Sequence, residues 1–310
     1  MKLAVLGVGL IGGSIGLAAR RRAGATVAGY DPDPRACAAA LELGAIDEQA
    51  PNIAAAVAGA QVVFAAAPVG ALAETVREAL QHAGDDCVVS DVGSTKLALE
   101  EARRDPRFVG GHPLAGSHTA GVAHARENMF EGATWYLCPA DSITEGLYER
   151  LRDLIVRFGA EPIPVAADMH DRLMATVSQL PHVLANVLVE QLVRASSEDD
   201  RPASSRPLGV GPSFRDATRV AGSNTAIWTD IYLANSEALI EAIDRAVVGL
   251  EDVRAALAGS DADALAKWNE RARAARTKLL GDDLDPTHPR AENTCHPASA
   301  GDPPSADPAP

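Results

Sequence analysis

Three glycines near the start constrain this chain more than any other feature. Gly7, Gly9 and Gly12 form GxGxxG directly after a short apolar run, residues 2–6, and just before a helical pattern opening at about Gly13. In a strand–turn–helix unit the first glycine permits the tight turn. The second lets the backbone, with Leu10 and Ile11 beside it, approach a pyrophosphate, and the third lets helix and strand pack closely. Three glycines alone would be weak evidence, since a plain glycine-rich turn has the same letters. Here a second strand follows and ends in Asp31, 19 residues after Gly12. A carboxylate at that point hydrogen-bonds the adenosine ribose hydroxyls and repels a 2′-phosphate. Pro32 and Asp33 follow, with no basic residue before Arg35, so the cofactor read from the sequence is NAD rather than NADP. Asp31 as a turn former ahead of Pro32 is compatible with that role.

From residue 2 to about 166 the chain alternates short β-rich runs with helical stretches. The runs are 2–7, 26–31, 61–69, 87–92, 107–113, 133–139 and 161–165, and helices are expected at 15–22, 34–43, 70–82 and 144–158. That alternation predicts an α/β fold with a Rossmann-type, doubly wound, mainly parallel sheet. After residue 166 the strands stop and an all-α second domain is expected. Its first helix runs from a cap at Asp168 to about Arg194, with Asp171 at the third helical position, where a carboxylate favours a helix N-terminus. A polar loop follows over 195–205. From Trp228 a long helical pattern carries Ile231, Ala234, Ala238, Ile243, Val247, Leu250, Val253 and Leu257 at three- and four-residue steps. A final helix runs from about Ser260 to a cap at Gly281. The domains read from the sequence are thus 1–166, a cofactor domain, 167–281, an all-α domain, and a disordered tail over 282–310. The tail is rich in Pro, Asp, Ala and Ser, and is too short for an ACT-like regulatory domain.

Composition excludes several partners. Lys and Arg number 28 against 42 Asp and Glu, a net charge of -14. Such a chain repels nucleic-acid phosphates and anionic membrane surfaces, leaving a small molecule as the expected partner. Any anionic ligand must then be met by a few placed cations. The longest apolar stretch, residues 54–73, is interrupted by Gly59, Gln61, Pro68 and Gly70, and reads as helix plus buried strand rather than a membrane span. Lys2 leads at once into the first strand, which does not read as a secretion signal. Cys37, Cys87, Cys138 and Cys295 show no metal-ligand spacing and read as small apolar residues in a reducing, cytoplasmic compartment. No metal is expected.

Later segments resemble one family. The residues from Gly9 to Ser14, the DVGSTK at 91–96, the GGHPLAG at 110–116 and the MFEGA at 129–133 are similar to prephenate/arogenate dehydrogenases, in order. So are His170-Asp171, the LPH at 180–182, the FRDATRVA at 214–221, and Trp228. The resemblance covers about residues 1–280. It implies NAD-dependent oxidative decarboxylation of prephenate to 4-hydroxyphenylpyruvate in tyrosine biosynthesis, or the corresponding reaction of arogenate. It also implies a homodimer through the helical domain.

Carried onto this sequence, the resemblance makes His112 the catalytic acceptor at the substrate C4 hydroxyl, assisted by Ser94. It gives substrate contacts to His182, Arg219, Ser117 and Trp228, with His170 and Asp171 in support. Read from the residues alone, His112 passes for a loop histidine, Ser94 for a helix cap, and Arg219 for a surface partner of Asp216. Asp171, Ser178 and His182, at steps of seven and four, share one helix face and suggest a site wall, although Pro181 disturbs the helix beside it.

Three positions depart from the family pattern: Gln179 stands where a histidine is frequent, His118 where glutamate is frequent, and Pro212-Ser213 where a glycine pair is frequent. Two other readings compete. A β-hydroxyacid dehydrogenase would need a lysine on the helix after residue 168, and none is present up to Arg194. A non-catalytic NAD sensor would have no use for the histidine, serine and arginine.

Overall fold

In the computed structural model, residues 1–116, 119–140, 142–197 and 209–280 are described. The chain alternates as the sequence predicts. β1 (Lys2–Leu6) leads into α1 (Leu10–Ala23), then β2 (Thr26–Tyr30), α2 (Pro34–Leu43), β3 (Glu48–Gln49) and α3 (Ile53–Val57). There follow β4 (Val62–Ala65), α4 (Val69–His82), β5 (Val88–Asp91), β6 (Phe108–Pro113), β7 (Thr134–Pro139), α5 (Glu145–Arg157) and β8 (Glu161–Pro164). The sheet order is β3-β2-β1-β4-β5-β6-β7-β8, parallel except where β7 meets β6. After β3 the chain crosses back over β1 to lay down β4. That reversal opens a crevice beyond the carboxyl ends of β1 and β4, where open α/β sheets bind ligands.

Side-chain alternation explains why the sheet is covered on both faces. Leu3 and Val5 of β1, Val62 and Phe64 of β4, and Val88 of β5 join α1, α2 and α5 in one core. Ala4 and Leu6, Val63 and Ala65, and Val89 join α3 and α4 in the other. Aromatic residues are few, yet Phe64, Phe130, Trp135 and Phe158 gather in the first core, with Phe130 and Trp135 ring centres 5.0 Å apart.

Beyond the sheet come α6 (Ala167–Met174), a π-helical turn (Ala175–Gln179) and α7 (Leu180–Ser197). Then follow α8 (Pro212–Thr218), a 3₁₀ turn (Arg219–Gly222), α9 (Thr225–Ala234), α10 (Ser236–Ala258) and α11 (Ala262–Leu280). Residues 1–245 form one compact unit and the chain from Ala246 a second, the division falling inside α10. Among the described residues no helix is long and apolar enough to cross a membrane.

Several sequence expectations change. The two-residue edge strand β3 was not anticipated, because Glu48 and Gln49 carry no β-branched or alternating pattern. α1 opens at Leu10, three residues earlier than expected, with Gly9 as its cap. Asp168 does not cap α6; Ala166 holds that position without a side-chain bond, and Asp168 lies in the first turn. The single helix expected after it is interrupted by the π turn just ahead of Pro181. Proline has no N–H to give to the residue four before it, and a π turn absorbs that break. The long pattern from Trp228 is two helices divided at Asn235, and the last helix opens after Asp261, whose Oδ1 accepts the Ala264 N–H. Pro212 is the first residue of α8, a position that suits its fixed φ. The expected disordered tail and the cap at Gly281 lie outside the described residues.

One buried ion pair locks the centre of the sheet. Lys96 and Asp91 are 1% and 0% exposed, and the Lys96 ammonium donates to Asp91 Oδ2 and to the Gly111 carbonyl. Asp91 also accepts the N–H groups of Gly111 (3.0 Å) and Gly93 (2.8 Å). The pair thus ties the end of β5 to β6, fixing the loop that carries Ser94 and the end of β6 that carries His112, a strand residue rather than a loop one. A Cβ on Gly111 would stand 2.5 Å from the Asp91 carbonyl, which is why glycine sits there. Removing one member strands the other charge without a partner. Lys96→Met is expected to lower the unfolding free energy by about 3–5 kcal/mol, and adding Asp91→Asn should recover part of it, both read by denaturant titration.

Candidate active site

The glycine turn does what its sequence predicts. Gly7 has φ +95°, and a Cβ there would lie 2.6 Å from the Ala66 carbonyl. A Cβ on Gly12 would lie 1.9 Å from the Gly7 carbonyl, so only glycine lets α1 pack onto β1. Gly9 faces open space, and α1 begins there with no capping side chain and no acid in its first turn. Its first N–H groups are therefore available to an anion. The cleft around it, about 680 Å³, is lined by Gly7, Gly9, Leu10, Ile11 and Asp31, with Ala66 and Ala67 opposite. Asp31 accepts the N–H groups of Val8 (3.0 Å) and Asp33 (2.9 Å), which fixes its carboxylate at the cleft edge. Arg35 is clamped to Asp33 by two bonds of 3.1 Å, and so is tied up next to that edge. These donors and this acid fit a dinucleotide with free ribose hydroxyls.

A second cavity, about 260 Å³, adjoins the cleft. It is lined by Ser94, His112, Met174, Ser178, Gln179 and Trp228, among others. Ser94 and Ile231 line both spaces, so the two meet there.

Behind His112 runs a buried chain of hydrogen bonds. His112 Nδ1 is 2.9 Å from His170 Nε2, and His170 Nδ1 is 2.7 Å from Asp171 Oδ1. Asp171, fully buried, also accepts the backbone N–H groups of Lys96 (2.8 Å) and Leu97 (2.8 Å). Its oxygens face only donors, so His170 carries its proton on Nδ1 and accepts at Nε2. His112 must then donate from Nδ1, leaving its Nε2 lone pair free. Burial, reinforced by the nearby His170 and the Lys96 charge, holds the His112 pKa well below its ordinary value of 6.5. The imidazole is thus neutral, with an acceptor to offer.

His182 is arranged the opposite way. Its Nδ1 meets the Tyr232 hydroxyl and the Asn186 amide (3.4 Å), which places the proton of the neutral ring on Nε2. Burial lowers its pKa against an opposing pull from the Val220 carbonyl. Trp228 stacks on it with ring centres 3.7 Å apart.

Comparison with known proteins gives this arrangement a family. Residues 15–163 match the model for the prephenate dehydrogenase nucleotide-binding domain, and 166–270 match that for the prephenate dehydrogenase dimerization domain. The chain belongs to the prephenate dehydrogenase family. Prephenate dehydrogenase of Bacillus subtilis (strain 168) is 34% identical over 281 residues, covering 88% of this chain and 74% of that one. The crystal structure of A. aeolicus prephenate dehydrogenase with hydroxyphenyl propionate and NAD+ superposes with a TM-score of 0.82 at 28% identity, covering 90% of this chain and 98% of that one. Synechocystis arogenate dehydrogenase gives 0.79 at 26% identity, covering 90% and 100%.

The residues singled out in the sequence are distributed unevenly. His112, Ser94 and Trp228 line the second cavity, and Ser178 joins them. Ser94 does not cap the 3₁₀ turn Leu97–Leu99; Asp171 takes the N–H groups of Lys96 and Leu97 instead. Asp171 therefore serves another element's N-terminus rather than that of its own helix. His182 is buried against Trp228 without itself lining the cavity. Arg219 is exposed, opens the 3₁₀ turn after α8, and lines neither space. Ser117 and His118 lie outside the described residues. Two residues that sequence reasoning passed over are Asn235 and Tyr232. Asn235, 5% exposed, donates to the Asp171 carbonyl (2.8 Å) and to Gln179 Oε1 (2.9 Å). Neither carries a local signal, since an asparagine and a tyrosine in a helical pattern pass for ordinary surface residues. Cys87 and Cys138 are buried, and burial pushes their thiols up to about 11 and about 12, which removes them as nucleophiles.

Asp31→Ala is expected to weaken NAD binding about tenfold to a hundredfold, the worth of hydrogen bonds to a charged group. It should also narrow the preference over NADP, as measured by fluorescence titration of both cofactors. An unchanged preference would detach Asp31 from the ribose.

Proposed function

We propose that this protein catalyses the NAD-dependent oxidative decarboxylation of prephenate to 4-hydroxyphenylpyruvate, the reaction that leads toward tyrosine. One observation carries the reading: a neutral His112 with a free Nε2 lone pair stands in a small cavity that meets the dinucleotide cleft at Ser94. Prephenate is a cyclohexadienol with a hydroxyl at C4 and a carboxylate at C1. His112 Nε2 accepts the C4 hydroxyl proton as hydride leaves C4. The bond from C1 to its carboxylate breaks, CO2 departs, the electron pair enters the ring to complete aromaticity, and the C4 oxygen, now a phenolate, takes the proton back from His112 to give the phenol. Bound in the cleft, NAD+ supplies the hydride acceptor.

Ser94 contributes a second hydrogen bond at the same hydroxyl, and the Asp171–His170 chain keeps His112 in the accepting tautomer. Trp228 forms a wall for the ring, with His182 behind it. The family resemblance assigns Arg219 to a substrate carboxylate and Ser117 to a substrate contact, though Arg219 is exposed and lines neither space. The division into a cofactor domain over 1–166 and a helical domain over 167–281 follows the same reading. The helical domain forms a homodimer, supported by exposed apolar positions Leu184, Val187 and Leu188 on α7 and Ile240, Leu250 and Leu257 on α10. A reducing cytoplasm suits Cys37, Cys87 and Cys138, the buried free thiols among the described residues.

Purified protein should reduce NAD with release of CO2 when given prephenate, and arogenate belongs in the same assay because the Synechocystis enzyme is named for it. His112→Asn is expected to lower kcat by about 10²–10⁴-fold, the range for a positioned base, with little change in NAD binding. The sign of the pH effect follows from the lone pair. Imidazolium cannot accept the proton, so kcat falls as pH drops through the lowered His112 pKa, and the wild-type acidic limb lies below pH 6.5. The residual activity of the variant should lack that limb. Asp171→Asn offers an N–H where His170 needs an acceptor, and is expected to lower kcat by about 10²-fold or more while leaving the KM for NAD in place.

A further inference from the structure

Gln179 closes the π turn and is 1% exposed, yet it lines the cavity that holds His112 and Ser94. The orientation of its amide follows from its neighbours. The Asp171 carbonyl can only accept, so the Asn235 atom 2.8 Å away is Nδ2. That same Nδ2 lies 2.9 Å from Gln179, so the Gln179 atom facing it must be the acceptor, Oε1. Nε2 is thereby turned away from Asn235, and it has no hydrogen-bond partner although it is buried. A buried amide donor left without an acceptor is costly, and native structures seldom keep one without a reason.

We propose that Gln179 is a substrate-binding residue whose Nε2 donates to a carboxylate oxygen of the bound cyclohexadienol. This rests on the reading of the cavity as the prephenate site. The amide supplies a donor that does not titrate. Substrate affinity at this contact is therefore independent of pH, and the cavity gains a fixed hydrogen-bond donor without a charge. The π turn matters to the geometry. It brings Gln179, rather than Ser178 alone, to the inner wall, while Asn235 at the break between α9 and α10 holds the amide in one orientation.

Gln179→Glu and Gln179→Met separate this role from a structural one. Glutamate keeps an oxygen for Asn235 and replaces the donor by an acceptor. Methionine removes both groups at similar volume. With NAD saturating, the KM for prephenate should rise about tenfold to a hundredfold in Gln179→Met, as expected for losing a bond to a charged group, and further in Gln179→Glu at pH 8. The KM for NAD should stay within twofold in both. Lowering the pH should bring the Gln179→Glu value back toward wild type as the new carboxyl gains a proton and can donate, whereas the wild-type KM should stay flat. A KM for prephenate that stays at the wild-type value in both variants would overturn the assignment, as would a loss confined to kcat, which would leave Gln179 only bracing Asn235 and Asp171. A wild-type protein that turns over neither prephenate nor arogenate would overturn the reading of the cavity itself, and the assignment would fall with it.

Discussion

The Asp171 carboxylate is the interaction on which the site depends. It sits on α6, outside the sheet, yet it accepts two backbone N–H groups from the start of the 3₁₀ turn after β5. Those bonds seat α6 against the sheet, and the third bond, from His170, sets the proton arrangement of the site. A buried carboxylate with this many donors has a single stable placement, because each donor would otherwise be buried unmet. The Lys96–Asp91 pair works in the same neighbourhood, since Lys96 gives its backbone N–H to Asp171 and its ammonium to Asp91. Position and protonation are thus decided together.

Electrostatics here are local rather than global. The chain is strongly acidic, which by itself disfavours binding an anion. The structure answers with backbone donors at Gly9 and the start of α1, and with neutral imidazoles of opposite tautomer. His112 offers a lone pair, and His182 carries its proton on the other ring nitrogen. The Lys96 charge, though spent on Asp91, still helps hold His112 neutral. A buried imidazole that stays neutral keeps its lone pair, so burial shapes the site as well as the packing.

Much of the sheet was legible because its signals are local. GxGxxG can be read from its spacing alone, although what demands each glycine differs: Gly7 meets the distant Ala66 after β4, Gly12 meets Gly7 itself, and Gly9 faces open space. The continuous apolar runs of β1 and β4 declare two buried faces without reference to the helices that cover them. Edge strand β3 escaped because two polar residues paired to β2 leave no pattern. The break at Asn235 escaped for a related reason. The apolar steps continue through it, and only the bonds to Asp171 and Gln179 end α9 there.

The site divides along the same line. The sequence by itself determined the cofactor turn, the acid at Asp31, the parallel sheet and the presence of His112 at a strand end, because propensity, periodicity and backbone sterics act over a few residues. Tertiary structure alone decided what those residues face. It turned Asp171 away from its own helix toward Lys96 and Leu97, moved Gln179 inward through a π turn, set His182 behind Trp228 and left Arg219 exposed. Hydrogen bonds between residues some 50 to 75 positions apart, such as Asp171 to Lys96 and His182 to Tyr232, have no signature in local spacing, because the donor and its acceptor are chosen by the packing that brings them together.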